Sequence, residues 1–178
     1  MPARPLDLRA AAAAHHREQS RSDRCVPACA SMVLSWLGRP TDEETICRDW
    51  VRTRRGYAIV DAAELLDGAY DADAADKPGI QAYLRILLAE PRWIVAQMFS
   101  APMTRIAAAR VPPSISRFGP LTTARFGALH AVVLVDADDR GFYYLDPYYP
   151  GAKQPFFLTN EEPAEAWRSA MLISGARP

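Results

Sequence analysis

The segment from Cys25 to Gly38, CVPACASMVLSWLG, restricts the fold more than any other part of the chain. Ala30, Val33, Leu34 and Leu37 recur at i, i+3, i+4 and i+7, the stripe of a helix that packs one face on a core. Pro27 is tolerated in a first helical turn, where its missing N–H would have no partner, and Gly38 followed by Pro40 supplies the stop. Cys25 therefore opens a helix, near unpaired N–H groups and the positive end of the helix dipole, which favour thiolate over thiol. A small buried hydrophobe is the commoner use of a free cysteine. The segment by itself leaves both readings open.

At 178 residues the chain is long enough for one domain with a real core. Its formal net charge is zero, so no basic face marks it for nucleic acid or an anionic membrane. No apolar run approaches the ~20 residues of a membrane span. At the N-terminus, Arg4 and Arg9 lead only to Ala10–Ala14 before His15 and His16, too short an apolar stretch for a signal peptide. Three cysteines, an odd number, argue against a disulfide framework and for a reducing compartment. The expected location is cytoplasmic, or exported without a conventional signal peptide.

Along the chain, residues 1–18 read as a weakly structured lead whose alanine run forms a short helix, with His15 and His16 facing solvent. After the Cys25 helix, Thr41 and Glu44 form a capping box for a second helix with Ile46, Trp50 and Val51 on its apolar side. Gly56 ends it beside Arg52, Arg54 and Arg55, a solvated helix end. Asp61 is placed to cap a short helix through Leu65 and Leu66; Asp71–Pro78 is turn-like, and Ile80–Ala89 is helical with Leu84, Leu87 and Leu88 inward.

From Trp93 the period changes. Trp93–Phe99 reads as a buried strand, and residues 100–128, with Pro102, Pro112, Pro113 and Pro120, as an insertion of little periodicity. Leu129–Val135 and Phe142–Leu145 form a hairpin across Asp138–Gly141. Pro155–Leu158 makes a third strand. Thr159 and Glu162 box the start of a helix containing Trp167, and Met171–Ile173 closes the sheet. Helices first and an antiparallel sheet second make an α+β domain over residues 19–178.

A cysteine nucleophile needs a base and a group to orient that base. His130 opens the most regular strand, beside Gly127 and Ala128, and Asp146 closes the paired strand in Leu145-Asp146-Pro147. Pairing across the turn brings both to one edge of the sheet, where the carboxylate can accept the imidazole Nδ1–H. The plainer readings are a structural histidine and an Asp-Pro turn, and a slip of one residue would turn Asp146 to the opposite face. Asp136 and Asp138 sit at the turn end, away from His130. Gln19, ahead of the cysteine, can donate to an oxyanion together with the Cys25 N–H, or be merely a polar surface residue.

A zinc site from Cys25, Cys29, Cys47 and His130 is the rival use, but no short-spaced pair supplies its second half. Cys29 and Cys47 read as packing cysteines. With no GxGxxG or GxxxxGK[ST] pattern, neither cofactor nor metal is expected. Tyr143, Tyr144, Tyr148 and Tyr149 read as strand packing and a cleft rim.

Gln19, the CVPACASMVLSWLG helix, the HAVVLV strand and the YLDP strand end together resemble the papain-like cysteine peptidases. Within them the similarity is to the bacterial branch related to bacteriocin-processing peptidases, whose motifs run Gln, Cys-Gly-Pro-Ala, His before an apolar strand, and Asp-Pro. It covers roughly residues 19–38 and 129–173. The resemblance implies N-terminal helices, the nucleophile helix among them, packed on a C-terminal antiparallel sheet. It also implies Cys25 as nucleophile, His130 as general base and acid, Asp146 as orienter and Gln19 in the oxyanion hole. The implied activity is that of a thiol protease cleaving a peptide or protein amide through a thioester. A protein deamidase or transglutaminase uses the same triad, and an inactive module of this fold would bind a peptide without cleaving it. Val26 stands where that branch often has glycine, read here as variation in the substrate site. Residues 100–128 exceed the usual connection before the histidine strand, as a lid, partner-binding arm, inhibitory flap or plain insertion would. The motifs come without a transporter domain, so maturation of an exported peptide is not implied.

Overall fold

A computed structural model describes residues 7–53, 56–74, 79–109, 116–118 and 129–175. Its frame is a six-stranded antiparallel sheet in the order β1 (Ala69–Asp71), β6 (Trp167–Ile173), β2 (Ile94–Phe99), β3 (Leu129–Asp138), β4 (Gly141–Leu145), β5 (Phe156–Thr159). Strand alternation makes this sheet two-faced. Val95, Ala131, Val133 and Leu172 enter one apolar cluster, and Ile94, Ala96, Val132, Leu134 and Met171 enter another. Because both faces are covered, the strands read as continuous apolar runs rather than polar–apolar alternations.

The first cluster is closed by α2 (Cys25–Trp36), and the second by α5 (Ile80–Leu88) and α6 (Ser100–Ala108). The sequence predicts a single buried stripe on α2, yet Val26 to Leu34 and Trp36 are all buried. The reason is that β2 and β3 cover one side while α3 (Glu43–Asp49) and α4 (Ala62–Leu65) cover the other. Gly38, at φ +79°, ends α2 as expected. Its N–H donates to Ser35 O (3.2 Å) and that of Arg39 to Leu34 O (2.8 Å), the paired bonds of a Schellman stop. Trp36 stacks on Trp93 with ring centroids 4.7 Å apart.

Several local expectations are corrected. The lead carries α1 (Asp7–Ala14), docked on the sheet by Arg9, which pairs with Asp136 and Asp138. His15 and His16 do not face solvent: His15 Nδ1 bonds Ser35 Oγ (2.9 Å), and His16 is buried. The cap of α3 is Asp42 rather than Thr41, accepting from Thr45 N at 2.8 Å, because Glu44 is drawn to Arg24 instead. Asp61 makes no side-chain cap to α4. Helix α6 occupies the start of the aperiodic stretch, with Pro102 in its first turn, where proline is tolerated. Helix α7 (Glu162–Ala166) stops before Trp167, which instead begins β6 by pairing with Met98. Of the second box only the Glu162 arm forms, accepting from Thr159 N at 2.7 Å. Strand β6 lies inside the sheet, and the short β1 forms the edge. Arg54, Arg55, Gly127, Ala128, the end of the Asp71–Pro78 turn and most of residues 110–128 lie outside the described residues. Among the described residues no helix is long and apolar enough to cross a membrane.

Candidate active site

The β3–β4 hairpin turns through Asp139 and Arg140, with Asp138 opposite Gly141. The ladder then slips by one: Asp136 faces Tyr143, but Leu134 faces Tyr144, leaving Val135 as a bulge. This one extra residue decides which side of β4 meets which side of β3 toward the open end. With it in place, His130 Nε2 lies 2.7 Å from Asp146 Oδ1, both side chains being almost wholly buried. The sequence reading has the carboxylate on Nδ1; the structure puts it on Nε2. Chain position places the imidazole, but its rotamer decides which nitrogen a neighbour meets. The Asp-Pro turn reading holds at the same time: Asp146 Oδ1 also accepts from Tyr148 N (2.9 Å), and Asp146 O from Tyr149 N (3.3 Å).

Cys25, the first residue of α2, is among the groups that act on the His130 ring and raise it. With Nε2 committed to Asp146, Nδ1 is the ring nitrogen left for another partner. Cys25 is only partly buried. The first turn of α2 holds no acidic residue, and Arg24, the N-cap position, makes no side-chain cap; its guanidinium turns to Glu43, Glu44 and Ser20. The dipole and the first N–H groups of the helix are therefore left to act on the thiol and on whatever binds beside it. Burial disfavours the His130 imidazolium, but the Asp146 charge and hydrogen bond, joined by the Cys25 contact, outweigh it and raise the ring well above its ordinary 6.5. That direction favours the imidazolium.

Gln19 is fully buried and tied to both sides of the site. Its N–H donates to Pro147 O (2.8 Å), and its Nε2 to Arg21 O (2.7 Å), which also accepts from Arg24 N (3.1 Å) just ahead of Cys25. One amide proton thus organises the approach to α2, and the second is the one with oxyanion-donor chemistry to offer. The Arg117 guanidinium donates to Gln19 O and pairs with Glu18, and Phe118 packs on Tyr148, so residues 116–118 sit over this end of the molecule.

The other two cysteines differ. Cys29 is fully buried, and burial, reinforced by Cys25 and Asp146, pushes its thiol well above the usual range. Burial raises the Cys47 thiol, against the opposing influence of Tyr57 and Arg24. Cys25, Cys29, Cys47 and His130 do not gather into a metal cage, and among the described residues no group of three His, Cys, Asp or Glu side chains could hold an ion.

No family model and no curated protein sequence matches the chain. Solved structures do. A putative C39-like peptidase from Bacillus anthracis aligns with a TM-score of 0.57 at 14% identity, over 91% of this chain and 94% of that one. The peptidase domain of Streptococcus ComA, a bifunctional ABC transporter of a quorum-sensing pathway, gives 0.54 at 15% identity, over 89% and 96%. A double glycine motif protease from an AMS/PCAT transporter, solved with its leader peptide, gives 0.52 at 14% identity, over 89% of each chain. The fold is that of the papain-like C39 peptidases. The α+β architecture read from the sequence, helices on an antiparallel sheet, is therefore the C39 arrangement.

Within this C39 fold Val26, Tyr148 and Tyr149 differ from their sequence reading. Val26 is 4% exposed and belongs to the apolar cluster under α2, so it is a core residue rather than a substrate-site variation. Tyr148 and Tyr149 are buried rather than rim residues, and Tyr148 meets the His130 ring edge-on with centroids 5.9 Å apart. Two residues that sequence reasoning missed also touch the site. His16 Nε2 and Gln154 Nε2 both lie 3.0 Å from Asp146 O, and neither position carries a motif signal.

Proposed function

We propose that the chain is a cysteine peptidase in which Cys25, His130 and Asp146 form the triad, cleaving a peptide or protein amide through a thioester. The observation that carries this is the 2.7 Å contact of Asp146 Oδ1 with Nε2 of a buried His130, a ring that Cys25 at the head of a helix also acts on. His130 takes the thiol proton and Asp146 holds the resulting imidazolium. The thiolate attacks the carbonyl carbon, and the oxyanion is met by the Cys25 N–H and the second amide proton of Gln19. His130 then protonates the leaving amine as the C–N bond breaks. Water, deprotonated by His130, releases the acid and restores the thiol. A peptide substrate is supported by the leader peptide held by one structural neighbour.

The test is digestion of a diverse peptide library with mass-spectrometric reading of products. New termini that vanish with Cys25→Ala are expected. Amide-to-acid conversion without new termini would make the chain a deamidase. Partners retained by the variant with no turnover in the native protein would make it a binding module.

A further inference from the structure

We infer that His16 and Gln154 are positioning residues that fix the Asp146 backbone, and through it the His130 ring, at the point where the sheet ceases to do so. The inference rests on the peptidase reading above. Strand β4 pairs with β3 as far as Leu145 opposite Val133, and with β5 only as far as Tyr144 opposite Phe156. Asp146 lies one residue beyond the first ladder and two beyond the second, yet it is fully buried, so its N–H and C=O need partners that no strand supplies.

Gln154 supplies both. Its Oε1 accepts from Asp146 N (3.1 Å) and its Nε2 donates to Asp146 O (3.0 Å), so one side-chain amide stands in for a strand partner. His16 Nε2 donates to the same carbonyl from the opposite end of the sequence. The His16 ring is seated against Gly151, where a Cβ would come within 3.2 Å of Nδ1. Donation requires a proton on Nε2, and burial keeps this imidazole neutral against the pull of Asp146 and Glu18, with Arg17 adding to the lowering.

The clamp matters because the carboxylate itself is held on one side only. Oδ1 takes both His130 Nε2 and Tyr148 N, while Oδ2 is buried and has no hydrogen-bond partner among the described residues. Its aim therefore depends on where the backbone is pinned. The groups facing the His130 ring are Asp146, Cys25 and Tyr148, so a slackened Asp146 is felt at once in the imidazolium.

The experiment is NMR titration of the His130 ring nitrogens in the whole protein, alongside kcat and KM. It compares native protein with His16→Phe, Gln154→Leu and His16→Gln, the last keeping an N–H within reach. His16→Phe and Gln154→Leu are expected to lower the His130 midpoint and reduce kcat by roughly ten- to hundredfold with KM little changed, as small misplacements of a catalytic group do. His16→Gln is expected to restore both. Folded variants that keep the native midpoint and kcat would overturn the inference. If Gln154→Leu does not fold, Gln154→Met carries the test, because it keeps the length of the side chain, loses both amide contacts, adds no charge and must still lower the midpoint. The midpoint is read without substrate, so a lowered midpoint in a protein that cleaves nothing leaves the clamp standing and removes the peptidase reading. A native peptidase with unmoved variants removes only the clamp.

Discussion

The two ends of the β3–β4 hairpin each hold a cluster around buried or half-buried aspartates, and they are built for opposite ends. At the turn, Asp138 takes Arg9 (2.8 Å), Arg140 (3.3 Å) and the Tyr143 hydroxyl (2.9 Å), and Asp136 takes Arg9 (2.9 Å). The Arg9 guanidinium also lies 3.5 Å over the Tyr143 ring. Every cation there is a guanidinium, which never gives up its proton near neutral pH. Although burial opposes it, the hydrogen bonds from Tyr143, Arg140 and Arg9 hold Asp138 well below the usual carboxylate range. That cluster fastens α1 to the sheet. At the open end the partner of Asp146 is an imidazole, a ring that Cys25 also acts on and that can give up its proton where a guanidinium cannot. Charge alone does not separate a rivet from a reactive site; the titratability of the partner does.

Removing the thiol should break the comparison most severely. Cys25→Ala is expected to lower kcat by roughly 10⁴-fold or more, with melting unchanged, as read by peptide cleavage and calorimetry. His130→Ala should cost about as much, and the double variant little beyond either, because the pair acts as a unit. Gln19→Ala comes next, with a loss in kcat on the order of 10²-fold if its free amide proton meets the oxyanion.

Matched changes at the two ends then sharpen the contrast. Asp146→Asn keeps an acceptor for Nε2 but removes the charge that holds His130 above 6.5. The alkaline limb of kcat/KM should therefore move down in pH, with a smaller loss of rate than the nucleophile variants show. Asp138→Asn should leave kcat and both limbs alone. Its signature is in stability: a carboxylate held low contributes above its unfolded value near 3.8 and loses that contribution as pH falls through the folded one. The variant's melting temperature should thus fall less steeply on acidification. Arg9→Ala should cost only about 1 kcal/mol at neutral pH, the ordinary worth of partly exposed pairs.

The hairpin and the cysteine helix were legible because each is specified locally, by strand composition around a tight turn and by an apolar run ended by Gly38. What escaped was decided by tertiary docking. Nothing near His16 marks it as buried; that follows from α1 being pinned by Arg9 to aspartates over a hundred residues away. Trp167 sits behind a helix start, but pairing with Met98 outweighs local propensity. The bulge at Val135 and the choice of Nε2 are matters of one residue and one rotamer, below the resolution of any pattern. Val26 was misread because a departure from a motif was taken for a departure at the substrate, whereas its side chain points into the core.

The proposed triad requires His130, supported by Asp146, to activate Cys25. The rate of Cys25 alkylation by iodoacetamide, followed from pH 4 to pH 10 or so in the native protein and in His130→Ala, tests it without a substrate. The account predicts fast labelling of native Cys25 at mildly acidic pH, far ahead of Cys29 and Cys47, and a shift in the variant to the profile of an ordinary thiol near 8.5. Superimposable profiles for the two proteins, both rising only near that value, would contradict it.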